Sequence, residues 1–154
     1  MNEFEAAVIG DTVPLEDLQA CERNYLKQVR NNTLTDNTKF AYAWHLIKSQ
    51  YSSDVRKGIT MMQELCKSAG DKRDYVYLVA LGYYRLQEYS EAMKYIDTTL
   101  TMEPNNSQAK ELKQLIKQKQ DRDSMIGLAV VGGATAVAVG ATALAGFVIS
   151  RIFK

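Results

Sequence analysis

The sequence predicts an all-α protein: a six-helix bundle built around two repeated helical hairpins, followed by a C-terminal transmembrane helix. Three observations lead there. Strand alternation is absent, whereas apolar residues recur three and four apart along most of the chain. A pattern about 34 residues long occurs twice. Finally, the 25 residues Met125–Ile149 contain no charge, amide or proline. The 154-residue chain carries 19 Lys+Arg and 18 Asp+Glu, a net charge of +1. That balance excludes general nucleic-acid binding, which needs a clustered excess of bases to release counterions from phosphates.

The first ten residues form an N-terminal arm, 1–10. Five acids and no base occur in the first 20 residues, unlike a signal or transit peptide. Phe4, Val8 and Ile9 make the arm partly apolar, so it either frays or lies along an apolar groove with its acids near Arg85. The helical domain spans 11–124. Pro14 reads as a first-turn proline, with Leu15, Leu18, Tyr25, Leu26 and Val29 making an apolar stripe behind it. A second helix runs through Phe40, Trp44 and Ile47. Ser52-Ser53-Asp54 supplies a cap for a third, carrying Val55, Ile59, Met62, Leu65 and Cys66 and closed by Gly70. The fourth covers Asp74–Leu86, and the fifth carries Tyr89, Ala92, Met93, Ile96 and Leu100. Pro104-Asn105-Asn106 breaks the chain before a sixth, which starts near Ser107 with Ala109, Leu112 and Ile116 and precedes the polar run 117–124.

The repeat period sharpens this reading. Residues 73–106 fit a tetratricopeptide unit with Ala92 at position 20, Ala80 at 8, Tyr83 at 11, Ile96 at 24 and Pro104 at 32. Small or aromatic side chains are needed there because two antiparallel helices touch. Val76 and Thr99 depart from the usual Trp and Ala. A poorer copy lies at about 39–71, with Gly58 in the position-20 role. In such hairpins positions 5, 9, 12 and 13 line a concave groove; here they are Tyr77, Leu81, Tyr84 and Arg85. Tyr77, Leu81 and Tyr84 therefore read as a water-facing stripe suited to a partner's apolar anchors, with Tyr83 turned inward. Leu81 either lines the groove or is buried against a neighbouring helix, and Trp44 either continues the groove or belongs to the core.

Catalytic chemistry finds no foothold. His45 has no nucleophile pattern around it, and no Gly-rich phosphate loop exists. Two cysteines, Cys21 and Cys66, with one histidine are too few for a structural zinc site, and no cofactor is implied. They read as small core residues in a reducing compartment. A co-chaperone that grips a C-terminal carboxylate needs Lys or Asn along the groove, which Tyr77 and Leu81 do not supply. A tail-anchored receptor for targeting peptides or chaperones in protein import remains the alternative, because it too wants an apolar groove.

The anchor is expected over 125–150, followed by a short basic tail, 151–154. About 20 apolar residues cross a hydrocarbon core of about 30 Å. With the span at the C-terminal end, residues 1–124 are expected in the cytosol. The sequons Asn31-Asn32-Thr33 and Asn105-Asn106-Ser107 then stay unmodified. Arg151 and Lys154 are expected to direct the anchor to mitochondria. Small residues four apart, such as Gly132, Ala136 and Gly140, permit close pairing of spans and hence a homo-oligomer.

The ordered set Phe40-Ala41-Tyr42-Ala43-Trp44, Asp54-Val55-Arg56-Lys57-Gly58-Ile59 and Arg73-Asp74-Tyr75-Val76 resembles the mitochondrial fission 1 family. The resemblance continues through Gly82-Tyr83-Tyr84-Arg85-Leu86-Gln87-Glu88-Tyr89, Glu103-Pro104-Asn105-Asn106, Gln108-Ala109-Lys110-Glu111-Leu112 and a Val-Val-Gly-Gly tail. It implies a six-helix bundle with two tetratricopeptide-like repeats, anchored in the mitochondrial outer membrane and often also in peroxisomes. It also implies a docking role in organelle division, recruiting a dynamin-related GTPase directly or through adaptors.

Overall fold

Apolar residues three and four apart close into helices throughout the computed structural model, which describes residues 3–68 and 72–127. In order these are α1 (Glu3–Gly10), α2 (Leu15–Arg30), α3 (Asp36–Ile47), α4 (Ser52–Ser68), α5 (Arg73–Arg85) and α6 (Tyr89–Met102), then α7 over 107–127. No strand occurs among the described residues. The chain divides into two units, 1–117 and 118–154; of the second, the described part is helical.

Local chemistry sets the boundaries. The Pro14 carbonyl accepts from the Asp17 and Leu18 amides, opening α2. Thr35 Oγ1 accepts from the Thr38 amide at 3.2 Å and caps α3. The start of α4 differs from expectation: Ser52 is its first residue, and the Tyr51 carbonyl accepts the Asp54 and Val55 amides. Ser49 Oγ holds Asp54 Oδ2 at 2.7 Å and the Tyr51 amide at 3.2 Å, so Ser49 organises this start. At α7, Asn106 Oδ1 accepts from the Ala109 amide at 2.9 Å. Gly70 and Asp71 lie outside the described residues.

Two turns close in the same way. After α5 the Glu88 amide donates to Tyr83 O and the Gln87 amide to Tyr84 O, both at 2.9 Å, with Gln87 at φ 62°. After α2 the Thr33 amide donates to Gln28 O and the Asn32 amide to Val29 O, with Asn32 at φ 54°. Both are Schellman closures with a non-glycine residue in the left-handed position.

Consecutive helices α2 to α6 pack pairwise, and α3 also meets α5. Thus α3/α4 and α5/α6 are two hairpins whose first helices lie side by side. The core runs through Ala43, Leu46 and Ile47 of α3, Ile59, Met62 and Leu65 of α4, and Val79 and Ala80 of α5. It continues through Ala92 and Ile96 of α6 to Leu112, Leu115 and Ile116 of α7. Close approach is tightest at Gly58, where a Cβ would stand 2.8 Å from the Ala43 carbonyl oxygen and 2.9 Å from Ile47 Cγ1. The smallness expected at Gly58 is therefore a contact between α4 and the α3 backbone.

Two expectations change. The arm is helical, which adds α1 to the six helices of the domain. The α2 stripe is only partly used: Leu18 is buried and Tyr25 half-buried, whereas Leu15, Leu26 and Val29 stay exposed. Among α1 to α6, α2 packs chiefly against α3, and the flank of the stripe at Leu15, Leu26 and Val29 is exposed. Among the described residues no helix is long and apolar enough to cross a membrane. The anchor expected over 125–150 is described only at 125–127, and Arg151 and Lys154 lie outside the described residues.

Candidate partner-binding site

The register expected for α5 is recovered on one side. Tyr83 turns toward its own hairpin, stacking on Tyr95 of α6 with ring centroids 5.5 Å apart. Gln63 Nε2 of α4 donates to Tyr83 Oη at 3.3 Å and to Tyr95 Oη at 2.8 Å. On the other side the expectation of a water-facing stripe is corrected. Tyr84 is only 3% exposed and Leu81 7%, while Tyr77 is half-buried. The cause at Tyr84 is α1: the arm lies along this face, as one of the two sequence alternatives had it, but as a helix.

Phe4 and Val8, one turn apart on α1, pack on the core, and Glu5 is buried next to Phe4 in the chain. The Tyr84 ring lies against Tyr89, centroids 5.8 Å apart. Burial, and then the nearby Glu5 carboxylate, push the Tyr84 phenol up to about 12. Its hydroxyl is buried without a hydrogen bond of good geometry.

Arg85 joins three elements. Nη1 donates to Val8 O at 2.6 Å and reaches Ile9 O at 3.5 Å, while Nη2 donates to Ser49 O at 3.2 Å. These α1 carbonyls are at the helix end, where they have no intrahelical partner and carry the negative end of the dipole. Burial lowers the Arg85 pKa, and Asp11 opposes that shift. Asp11 also pairs with Lys48, whose carbonyl accepts the Val13 amide at 3.2 Å. Lys48 Nζ in turn sits 4.4 Å above the Trp44 ring, and Trp44 meets His45 edge-on at 4.9 Å. Trp44 is half-buried and packs against the core. The Tyr77 phenol is raised by burial and then by Glu111 of α7.

Ser49 and Glu5 belong to this site and were not singled out in the sequence, whereas Val8 was, as an apolar residue of the arm. The available signal was the four-residue spacing of Phe4 and Val8 beside acids. A second cluster brings Cys21 and His45 together. His45 Nδ1 is 2.7 Å from Ala41 O, and Cys21 Sγ is 3.4 and 3.7 Å from the two ring nitrogens. Burial and then Asp17 raise the Cys21 pKa, the opposite of what activates a nucleophilic thiol. Among the described residues no group of three or more His, Cys, Asp or Glu could hold a metal ion.

The Fis1 N-terminal tetratricopeptide repeat model matches residues 37–69, and the Fis1 C-terminal tetratricopeptide repeat model matches 73–125. The mitochondrial fission 1 protein of Homo sapiens is 40% identical over 147 residues, covering 94% of this chain and 97% of that protein. The chain belongs to the mitochondrial fission 1 protein family. That of Yarrowia lipolytica is 39% identical over 148 residues, covering 93% of this chain and 94% of the relative. Among solved structures, Saccharomyces cerevisiae Fis1 superposes with a TM-score of 0.70 at 29% identity, over 83% of this chain and 98% of that one. Yeast Fis1 in complex with an Mdv1 fragment, containing its N-terminal extension and coiled-coil domains, gives 0.69 at 30% identity, over 74% and 90%. The mitochondrial fission 1 family is made of tetratricopeptide-like adaptors rather than enzymes, with a mitochondrial association, and this chain shares its fold and repeats. Its two repeat models begin within two residues of the units read from the period alone.

Proposed function

We propose that this chain is a mitochondrial outer-membrane adaptor, anchored through 125–150 with its N-terminus cytosolic. It recruits a dynamin-related GTPase, or an adaptor of that GTPase, for division of mitochondria and of peroxisomes. The observation that carries the binding role is α1 on Tyr84 and Arg85: the end of the groove accepts a helix. Partner binding then engages Tyr84 and Arg85 once α1 moves aside, with Trp44, Leu81 and Tyr77 extending or supporting the face. A yeast Fis1 solved with a fragment of Mdv1 supports an adaptor as the direct partner. Pairing of the anchor through its small residues adds avidity by presenting two grooves together.

Proximity labelling from the full-length protein in cells tests this reading. Recovery of division machinery on mitochondria and peroxisomes is the expected result. Recovery of import or chaperone components in its place overturns it.

A further inference from the structure

The exposed flank of α2 is ordered rather than scattered. Leu15, Glu22, Leu26 and Val29 fall at i, i+7, i+11 and i+14, the spacing of one helical face. Leu15 is 57% exposed, Leu26 43% and Val29 42%. Aliphatics gathered in one row, unlike single exposed ones, mark an interaction surface. Glu22, the one acid in that row, is held by its own fold: it accepts from Tyr42 Oη at 2.8 Å and lies 3.9 Å from Lys57 Nζ. One residue further on at each step, Glu16, Arg23, Lys27 and Arg30 form a charged row along the edge of the apolar one. Among the described residues, Glu16, Arg23 and Lys27 enter no ion pair. Acids early and bases late suit the helix dipole, which explains the charges but not the aliphatics beside them.

We infer that this face of α2 pairs with the same face of a second copy of the chain, antiparallel about a two-fold axis. The apolar row is split unevenly, with one leucine at the acidic end and two aliphatics at the basic end. Turned end for end, Leu15 of one copy falls between Leu26 and Val29 of the other, and Glu16 falls beside Lys27. Both contacts occur twice by symmetry. Edge charges of this kind set the partner and the orientation of paired helices, and here the row is its own complement. The seam is about 21 Å long, from Leu15 to Val29. A single helix face buries well under the roughly 800 Å² per partner of a stable complex. The pair is therefore weak in dilute solution and accumulates where copies share one membrane. That confinement is all the inference takes from the adaptor reading.

The test uses the full chain in liposomes, with donor- and acceptor-labelled copies followed by energy transfer as their surface density rises. Transfer should exceed that of randomly placed copies. Glu16→Lys or Lys27→Glu alone sets like charges against each other at both ends of the seam. Each should raise the density needed for half-maximal transfer at least fivefold. Carrying both substitutions in one chain should restore pairing, and so should mixing the two single variants. The mixture reads the same contact without reversing both ends of one helix. Both residues are exposed, so neither substitution disturbs the core. Transfer no higher than random, single variants that pair like wild type, or a mixture that stays as weak as its components would each overturn the inference. Pairing that ignores the α2 charges would instead run through the anchor. A chain that does not float with the liposomes removes the anchored reading alone, and sedimentation of the same variants at high concentration in solution then decides the interface.

Discussion

Tyr84 and Tyr83 are adjacent, yet their truncations should separate cleanly. Tyr84 is almost wholly buried between α1 and Tyr89, so Tyr84→Ala leaves a cavity and is expected to destabilise the domain by about 3–5 kcal/mol. Tyr83 stands half-exposed against Tyr95, and Tyr83→Ala should cost about 1–2 kcal/mol from the lost ring pair and partial burial. This order is the reverse of the one a water-facing Tyr84 would give, and urea unfolding of both variants checks it. Tyr84 also makes a pH prediction. Its folded pKa, about 12, lies above the ordinary value of 10.0. The stability held by the neutral phenol is thus complete below pH 10 and lost as pH rises from 10 through 12. Wild type should lose stability relative to Tyr84→Phe across that window; parallel profiles would mean the phenol ionises freely.

At the level of elements, the hairpin hinges make opposite predictions for glycine. Gln87 holds φ 62° in the closure between α5 and α6. A glycine is free of the Cβ penalty there, so Gln87→Gly should raise stability by about 1 kcal/mol in thermal unfolding. Gly58 lies inside α4, where Ala is ordinarily favoured by about 1 kcal/mol. Its new Cβ would meet the Ala43 carbonyl at 2.8 Å, and backbone cannot swing aside as a side chain can. Overpacking of about 1–3 kcal/mol should then win, and Gly58→Ala should lower the melting temperature. Elements α3 to α6 were legible in the sequence because each carries its own apolar period and its small contact residues, Ala80, Ala92 and Gly58. Helix α1 was not, since its helical state depends on Arg85, 77 positions from Val8 in sequence. The arm's place beside Arg85 was legible as one of two alternatives, whereas the helix it forms and its burial of Tyr84 were not. Within α2 the pattern gave the helix but overstated its buried face, because burial there depends on how far α3 reaches.

For the whole molecule, charge, anchor and orientation are joined in one experiment. Two bases, Arg151 and Lys154, follow the expected span, and each near an anionic surface contributes about 1 kcal/mol. Replacing both with Ser should therefore weaken the mitochondrial preference enough to move a fluorescent fusion partly to the endoplasmic reticulum, while deletion of 125–154 should leave it diffuse. The two sequons then report orientation. Asn31 and Asn105 are both exposed at helix junctions, so neither is shielded from a glycosyltransferase by the fold. On the proposed reading, an anchor over 125–150 keeps residues 1–124 on the cytosolic side of whichever membrane it enters. The Arg151→Ser, Lys154→Ser protein should thus reach the endoplasmic reticulum and still migrate on a gel as unglycosylated, with or without glycosidase treatment. A glycosidase-sensitive band would place the domain in the lumen, and no cytosolic division machinery could then reach the groove at Tyr84.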